Sequence, residues 1–166
     1  MNNTAEKWIK SLKLIPHPEG GYYSETYRSE DSCSVKNLPP GYSGDRNFST
    51  AIFYLLEKNQ ISKFHRLKSD EIFHFYDGDG MIFRIINNAG KLSERKLGIN
   101  YEEGQIPQIL MKAGEWFGAE LINPGTYCLA GCTVSPGFHF DDFELGDRDE
   151  LLKMFPQHSK IIKQLT

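Results

Sequence analysis

From residue 48 to residue 134 the chain is a succession of short runs rich in β-branched and aromatic residues, separated by turn-forming residues. Residues 49–56 read STAIFYLL, almost wholly apolar, as a strand covered on both faces would be. Further runs of this kind follow at 61–67, 71–76, 81–86, 91–97, 108–112, 116–121 and 127–134. Asp77-Gly78-Asp79-Gly80, Asn87-Asn88-Ala89-Gly90 and Asn123-Pro124-Gly125 supply positive backbone angles and local hydrogen bonds where the chain must reverse. Short strands at such regular spacing close only into a sandwich or a barrel. An aromatic content of 13%, with 11 Phe and 8 Tyr, favours the same outcome.

The flanks read differently. Thr4 can cap a short helix that places Trp8, Ile9 and Leu12 on one face, and Pro16 and Pro18 stop it. Gly20-Gly21 then releases a strand-like run, 22–27. Residues 29–47 hold Pro39, Pro40, Gly41 and Gly44 among polar residues, the composition of a mobile loop. The acidic run 141–144 reads as a solvated turn, with Asp142 the carboxylate that could reach the barrel mouth. Beyond it Asp147 and Glu150 have capping-box spacing, Leu151, Leu152 and Phe155 form an apolar face, and Ile161, Ile162 and Leu165 continue it after Pro156. There is no internal repeat or linker, so residues 1–166 read as one domain with helices at both ends.

A net charge of −3 offers no basic field for nucleic acid or an anionic membrane, and no apolar run approaches a spanning length. The opening MNNTAEKWIKSL does not read as a secretory signal, and three cysteines, Cys33, Cys128 and Cys132, suggest free thiols in a reducing cytoplasm. Cys128 and Cys132 share a strand face and read as small core residues.

The stretch that carries chemistry is KFHRLKSDEIFHFYDGDG, residues 63–80. Strand alternation sends His65 and Leu67 to one face, and beyond the turn Glu71, Phe73 and Phe75 share a face. His74 then points the other way unless a bulge intervenes. An imidazole and a carboxyl enclosed together can do acid–base work, because desolvation and the partner's charge move their pKa values.

This hairpin resembles the first cupin motif, with His65 at the first His, Glu71 at the Glu and Gly78 at the Gly, but Leu67 where the second His would stand. The second cupin motif resembles 112–117 only in Gly114, with Phe117 in place of its His. Four blocks in order are similar to the cupin-5 group, a cupin family catalogued as a domain of unknown function: PHPEGGYY from Pro16, STAI from Ser49, the hairpin at 64–75, and GCTVSPGF from Gly131. The resemblance implies an all-β fold, the double-stranded β-helix or jelly-roll barrel, with short terminal helices. It also implies a likeness to metal-free sugar-nucleotide epimerases and seed storage cupins, and a tendency to dimerise.

On that basis His65 is expected as a base and Glu71 as its orienting or acidic partner. Tyr54 and Tyr76 are candidate proton donors, and Glu19, Tyr23, His74, Trp116 and Asp142 candidate ligand contacts. No cofactor is expected, since two protein ligands hold a transition metal poorly; the alternative is a divalent transition metal on His65 and Glu71. The leading expectation is a cytoplasmic homodimer that binds a small polar metabolite such as a nucleotide or nucleotide sugar and catalyses epimerase or isomerase chemistry. The rivals are a metal-dependent oxygenase or isomerase and a non-catalytic, storage-like binding module.

Overall fold

The structure is a computed structural model that describes residues 4–166. Helix α1 (Thr4–Ser11) opens it, with Thr4 already helical, so the capping position lies outside the described residues. Its apolar face, Ala5, Trp8 and Ile9, covers Leu55 and Leu129 on the outside of the sheet behind it. Trp8 Nε1 donates to Asp77 Oδ2 at 2.8 Å, and the Tyr127 hydroxyl donates to the same oxygen at 2.7 Å. The helix is thereby tethered to the barrel by polar as well as apolar contacts.

The strands follow in chain order: β1 (Ile15–Pro16), β2 (Tyr22–Arg28), β3 (Ser32–Cys33), β4 (Arg46–Asn47), β5 (Thr50–Glu57), β6 (Ile61–Leu67) and β7 (Asp70–Gly78). Then come β8 (Met81–Ile86), β9 (Leu92–Leu97), β10 (Gln105–Ile106), β11 (Gln108–Met111), β12 (Trp116–Leu121), β13 (Tyr127–Ser135) and β14 (Phe143–Leu145). One six-stranded sheet runs β1-β2-β5-β13-β7-β11 and the other β10-β9-β8-β12-β6-β14, with β3 and β4 paired separately. Tyr54, Leu56 and Phe73 from the first sheet pack on Phe83, Ile85 and Phe117 from the second, which is the jelly-roll core. Helices α2 (Arg148–Met154) and α3 (Ser159–Gln164) bury Leu151, Ile162 and the following Leu165 against Phe64, Ile86 and Trp116 on the outside of the second sheet. Asp147 caps α2 by accepting from the backbone of Asp149 and Glu150.

Two bulges decide which side chains face inward. Phe117 pairs with His65 and Ala119 with Ser62, so β6 spends one residue more than β12 between these pairs. The extra residue lets Ser62 and His65, three apart, both point into the barrel, while Phe64 turns outward into the helical layer. In β7 the bulge falls at Tyr76, between the pairs Ala130–Phe75 and Leu129–Asp77. That is too late to turn His74 inward.

Residues 29–47 are not the mobile loop that their composition suggests. Arg46 is buried against Asp142 and also donates to the carbonyls of Gly44 and Asp45. The Tyr42 hydroxyl donates to Lys68 O at 2.9 Å, and Lys68 Nζ donates to Gly41 O at 2.8 Å. Nor is 141–144 a solvated turn: Asp142 is buried, and Phe143–Leu145 pairs with β6 as a strand.

Candidate functional site

The barrel encloses a cavity of about 440 Å³ whose wall includes Glu19, Tyr54, His65, Glu71 and Cys132, with Phe138 and Phe140 at one end. Glu19 comes from the turn between β1 and β2, and its arrival depends on Gly20. At φ 116° Gly20 lies so close to the carbonyl of Ile61 that no Cβ could be accommodated. Lys63 N–H donates to Glu19 O at 2.9 Å, so the turn is pinned along β6. The Tyr54 hydroxyl donates to Gly20 O at 2.9 Å, and burial raises its pKa well above the ordinary phenol value. Tyr54 therefore anchors the turn and holds its proton.

On this scaffold three titratable side chains meet. Glu19 Oε2 is 3.1 Å from His65 Nε2 and 3.3 Å from His17 Nδ1, while Glu19 Oε1 accepts from the Ser62 hydroxyl at 2.8 Å. His65 Nδ1 lies 2.7 Å from Lys63 O, and its ring sits 4.2 Å from that of Phe117. Burial pushes His65 down to about 4, against the opposing pull of the Lys63 carbonyl. Burial also lowers His17 and raises Glu19.

Glu71 stands on β7, only 7% exposed, and its Oε2 has no hydrogen-bond partner. Burial first, and then the nearby Glu19, push it up to about 8, with the Cys132 thiol relieving part of the effect. Tyr23 completes this group, its ring edge-on to His17 at 4.6 Å.

The structure thus brings Glu19, Tyr23, Tyr54, His65 and Glu71 to one cavity and corrects four other expectations. His74 faces outward, where its Nε2 lies 3.1 Å from Thr133 Oγ1 and its Nδ1 accepts from Gln108 at 3.1 Å. Tyr76 is 52% exposed and lies over Gly131 on the outer face of the sheet. Trp116 is buried, but in the helical layer behind the barrel, with the Arg66 guanidinium 4.5 Å from its ring. Asp142 turns away from the mouth to pair with Arg46.

Cys132, whose spacing suggests core filling, and His17, to which the sequence pattern assigns no role, both line the cavity. Alternation sets Cys132 and Cys128 on one face, but only the pairing of β13 with β7 brings Cys132 beside Glu71, and no local pattern marks His17. Of the remaining histidines, His139 sits at the rim and His158 Nε2 is 2.9 Å from Gly90 O, away from the cavity.

The cupin set of metal ligands is incomplete in this chain. Leu67 and Phe117 fill two of the cupin ligand positions, His65 Nε2 faces Glu19, and His17 Nδ1 is engaged by the Glu19 backbone N–H. Among the described residues no group of three or more His, Cys, Asp or Glu side chains is arranged to hold a metal.

A jelly-roll barrel with its titratable groups gathered in an enclosed, aromatic-walled cavity defines the molecule as a cupin. The chain belongs to the cupin superfamily family Cupin_5 (DUF985), whose model matches residues 6–146. The uncharacterized protein YML079W of Saccharomyces cerevisiae is 32% identical over 160 residues, covering 90% of this chain and 79% of its own. Protein SO0799 from Shewanella oneidensis is 38% identical with a TM-score of 0.87, covering 100% of this chain and 98% of that one. Oxalate decarboxylase from Bacillus subtilis has the same fold at a TM-score of 0.56 and 14% identity. That likeness covers 91% of this chain and 36% of the enzyme's, and it concerns the fold alone.

Proposed function

We propose that the chain binds a small polar metabolite inside the barrel and moves a proton on it without a metal, as an epimerase or isomerase does. The observation that carries this reading is the buried, unpartnered Oε2 of Glu71, in the same cavity as the Glu19–His65 pair. A buried carboxyl without a counter-charge is costly to ionise, so at neutral pH Glu71 holds its proton and can donate it to a ligand carbonyl. A carbonyl held that way loses the neighbouring C–H proton more easily, and the Glu19–His65 pair is the second titratable centre able to exchange it.

The cavity volume suits a small molecule, and its cationic residues, Lys13 and Arg28, lie at the exposed end. A nucleotide sugar would enter with its sugar inward and its phosphates toward these residues, with the rings of Phe138 and Phe140 beside the mouth. The chain is proposed to act as a cytoplasmic homodimer with neither nucleic acid nor membrane as partner. β1 covers only Tyr22 and Tyr23, which leaves the rest of β2 as an open edge for a second copy. No described helix is long and apolar enough to cross a membrane.

Titration with nucleotide sugars, read by calorimetry, tests the binding, and deuterium uptake into the ligand from heavy water tests the chemistry. Saturable binding that the paired changes His65→Ala and Glu71→Ala abolish is the expected result. Binding unchanged in that double variant overturns the site, and tight binding without exchange overturns the chemistry in favour of a binding module.

A further inference from the structure

The hydrogen bonds around Glu19 allow hydrogens to be counted. His65 Nδ1 faces the carbonyl of Lys63 at 2.7 Å, and since a carbonyl only accepts, the Nδ1 carries a hydrogen. His17 Nδ1 accepts from the backbone N–H of Glu19 at 3.3 Å, so it presents a lone pair. Both the His17 Nδ1 and the His65 Nε2 then converge on a single oxygen, Glu19 Oε2. With no hydrogen among these three atoms, three acceptors would be pressed together where Glu19 and His65 are only 5% and 2% exposed. One hydrogen must lie there, either on Oε2 or on His65 Nε2.

We infer that it lies on Oε2: Glu19 is a neutral carboxylic acid whose hydrogen is directed at His65 and lies beside His17, and Glu19 rather than either imidazole hands a proton to the ligand. The alternative, a carboxylate against an imidazolium, desolvates two charges, and no lysine or arginine offsets them at the cavity floor.

The other groups facing Glu19 agree. From β6 come His65 and the Ser62 hydroxyl, which donates to Oε1 and serves a carbonyl oxygen as well as a carboxylate. Tyr54 from β5 keeps its proton, and Glu71 from β7 is itself a buried acid that brings no counter-charge to a carboxylate at Glu19. Burial shifts Glu19 and His65 in the directions a neutral pair requires. In the transfer the Oε2–H bond breaks and an O–H bond forms on the ligand carbonyl, the carboxylate so formed takes the proton from the neighbouring carbon to leave the enol, and Glu71 keeps its own hydrogen and only hydrogen-bonds that oxygen.

The position of the hydrogen is independent of the proposed activity; its use in catalysis rests on that reading. Long-range proton–nitrogen NMR of ¹⁵N-labelled, ligand-free protein tests it directly. His65 is expected neutral with hydrogen on Nδ1, unchanged from about pH 8 to about pH 5.5, and His17 neutral with hydrogen on Nε2 at about pH 8. A doubly protonated His65 in that range overturns the inference.

Glu19→Gln provides a second readout, because an amide NH₂ in place of the acid hydroxyl donates to the same nitrogen. It is expected to keep both tautomers and to shift the melting temperature by less than about 3 °C, while abolishing deuterium exchange into a bound nucleotide sugar. A large loss of melting temperature with a change in the His65 resonances would mean that an ion pair had been broken. Absence of exchange in the unaltered protein, with the tautomers as described, would sink the proposed chemistry and leave the hydrogen where it is placed.

Discussion

Replacing Glu71 with Gln removes one titrating group and little else, since a buried amide has the shape and polarity of a buried carboxylic acid. In the folded protein the carboxyl titrates at about 8, against an ordinary value of 4.5. Below about pH 4.5 both folded and unfolded chains hold this proton, and it has no bearing on stability. Above that value the unfolded chain releases the proton while the folded chain retains it, so rising pH favours unfolding until the folded carboxyl also ionises.

The interval between the two values, at about 1.4 kcal/mol per pH unit, amounts to roughly 5 kcal/mol. That is a large share of the stability of an ordinary domain. Urea unfolding of both proteins at about pH 4, 6 and 8 measures it. Glu71→Gln should match the unaltered protein at the lowest pH, exceed it by about 2 kcal/mol at pH 6 and exceed it by about 4 kcal/mol at pH 8. Glu19, raised in the same sense, titrates in both proteins and cancels to first order. A stability difference that stays constant across the range would refute the argument, because it would mean that Glu71 is ionised in the fold throughout.

Asp142→Ala leaves Arg46 buried without its carboxylate, and should cost about 3 to 5 kcal/mol in urea unfolding. A cost below about 1 kcal/mol would show that water reaches the pair. Protein purified from cells grown with added iron, manganese or zinc should carry far less than one ion per chain by elemental analysis. Stoichiometric metal would return His65 and Glu71 to the role of ligands and displace the proton-transfer reading.

Much of the barrel is legible in the sequence because its signals are local. Met81–Ile86 and Trp116–Leu121 have the limits that their composition suggests, and the glycine-rich turns lie between strands. The inner face of β7 follows from alternation alone, which sets Glu71 and Phe73 together and turns His74 away. The cupin spacing finds His65 and Glu71 for the same reason: both lie on one hairpin. Glu19 is named through the family block and His17 is not, and no local pattern shows where either lies, since Glu19 reaches Ser62 across 43 residues through a turn whose docking depends on Gly20. Trp116 shows the converse limit. Its burial is plain from its chemistry, but only the presence of α2 and α3 decides that it is buried behind the barrel.

The segment after β13 carries Phe138 and Phe140 at the mouth and, two residues beyond Phe140, the Asp142 that Arg46 holds. Its backbone is fastened next to the opening, so it cannot swing aside as a hinged flap. The ring of Phe140 at this opening is 52% exposed and stands edge-on to Phe138 at 5.0 Å and to Phe143 at 6.2 Å. On the proposed reading a small ligand would pass this ring without waiting for a hinged flap, so its association should show a single phase in stopped-flow mixing.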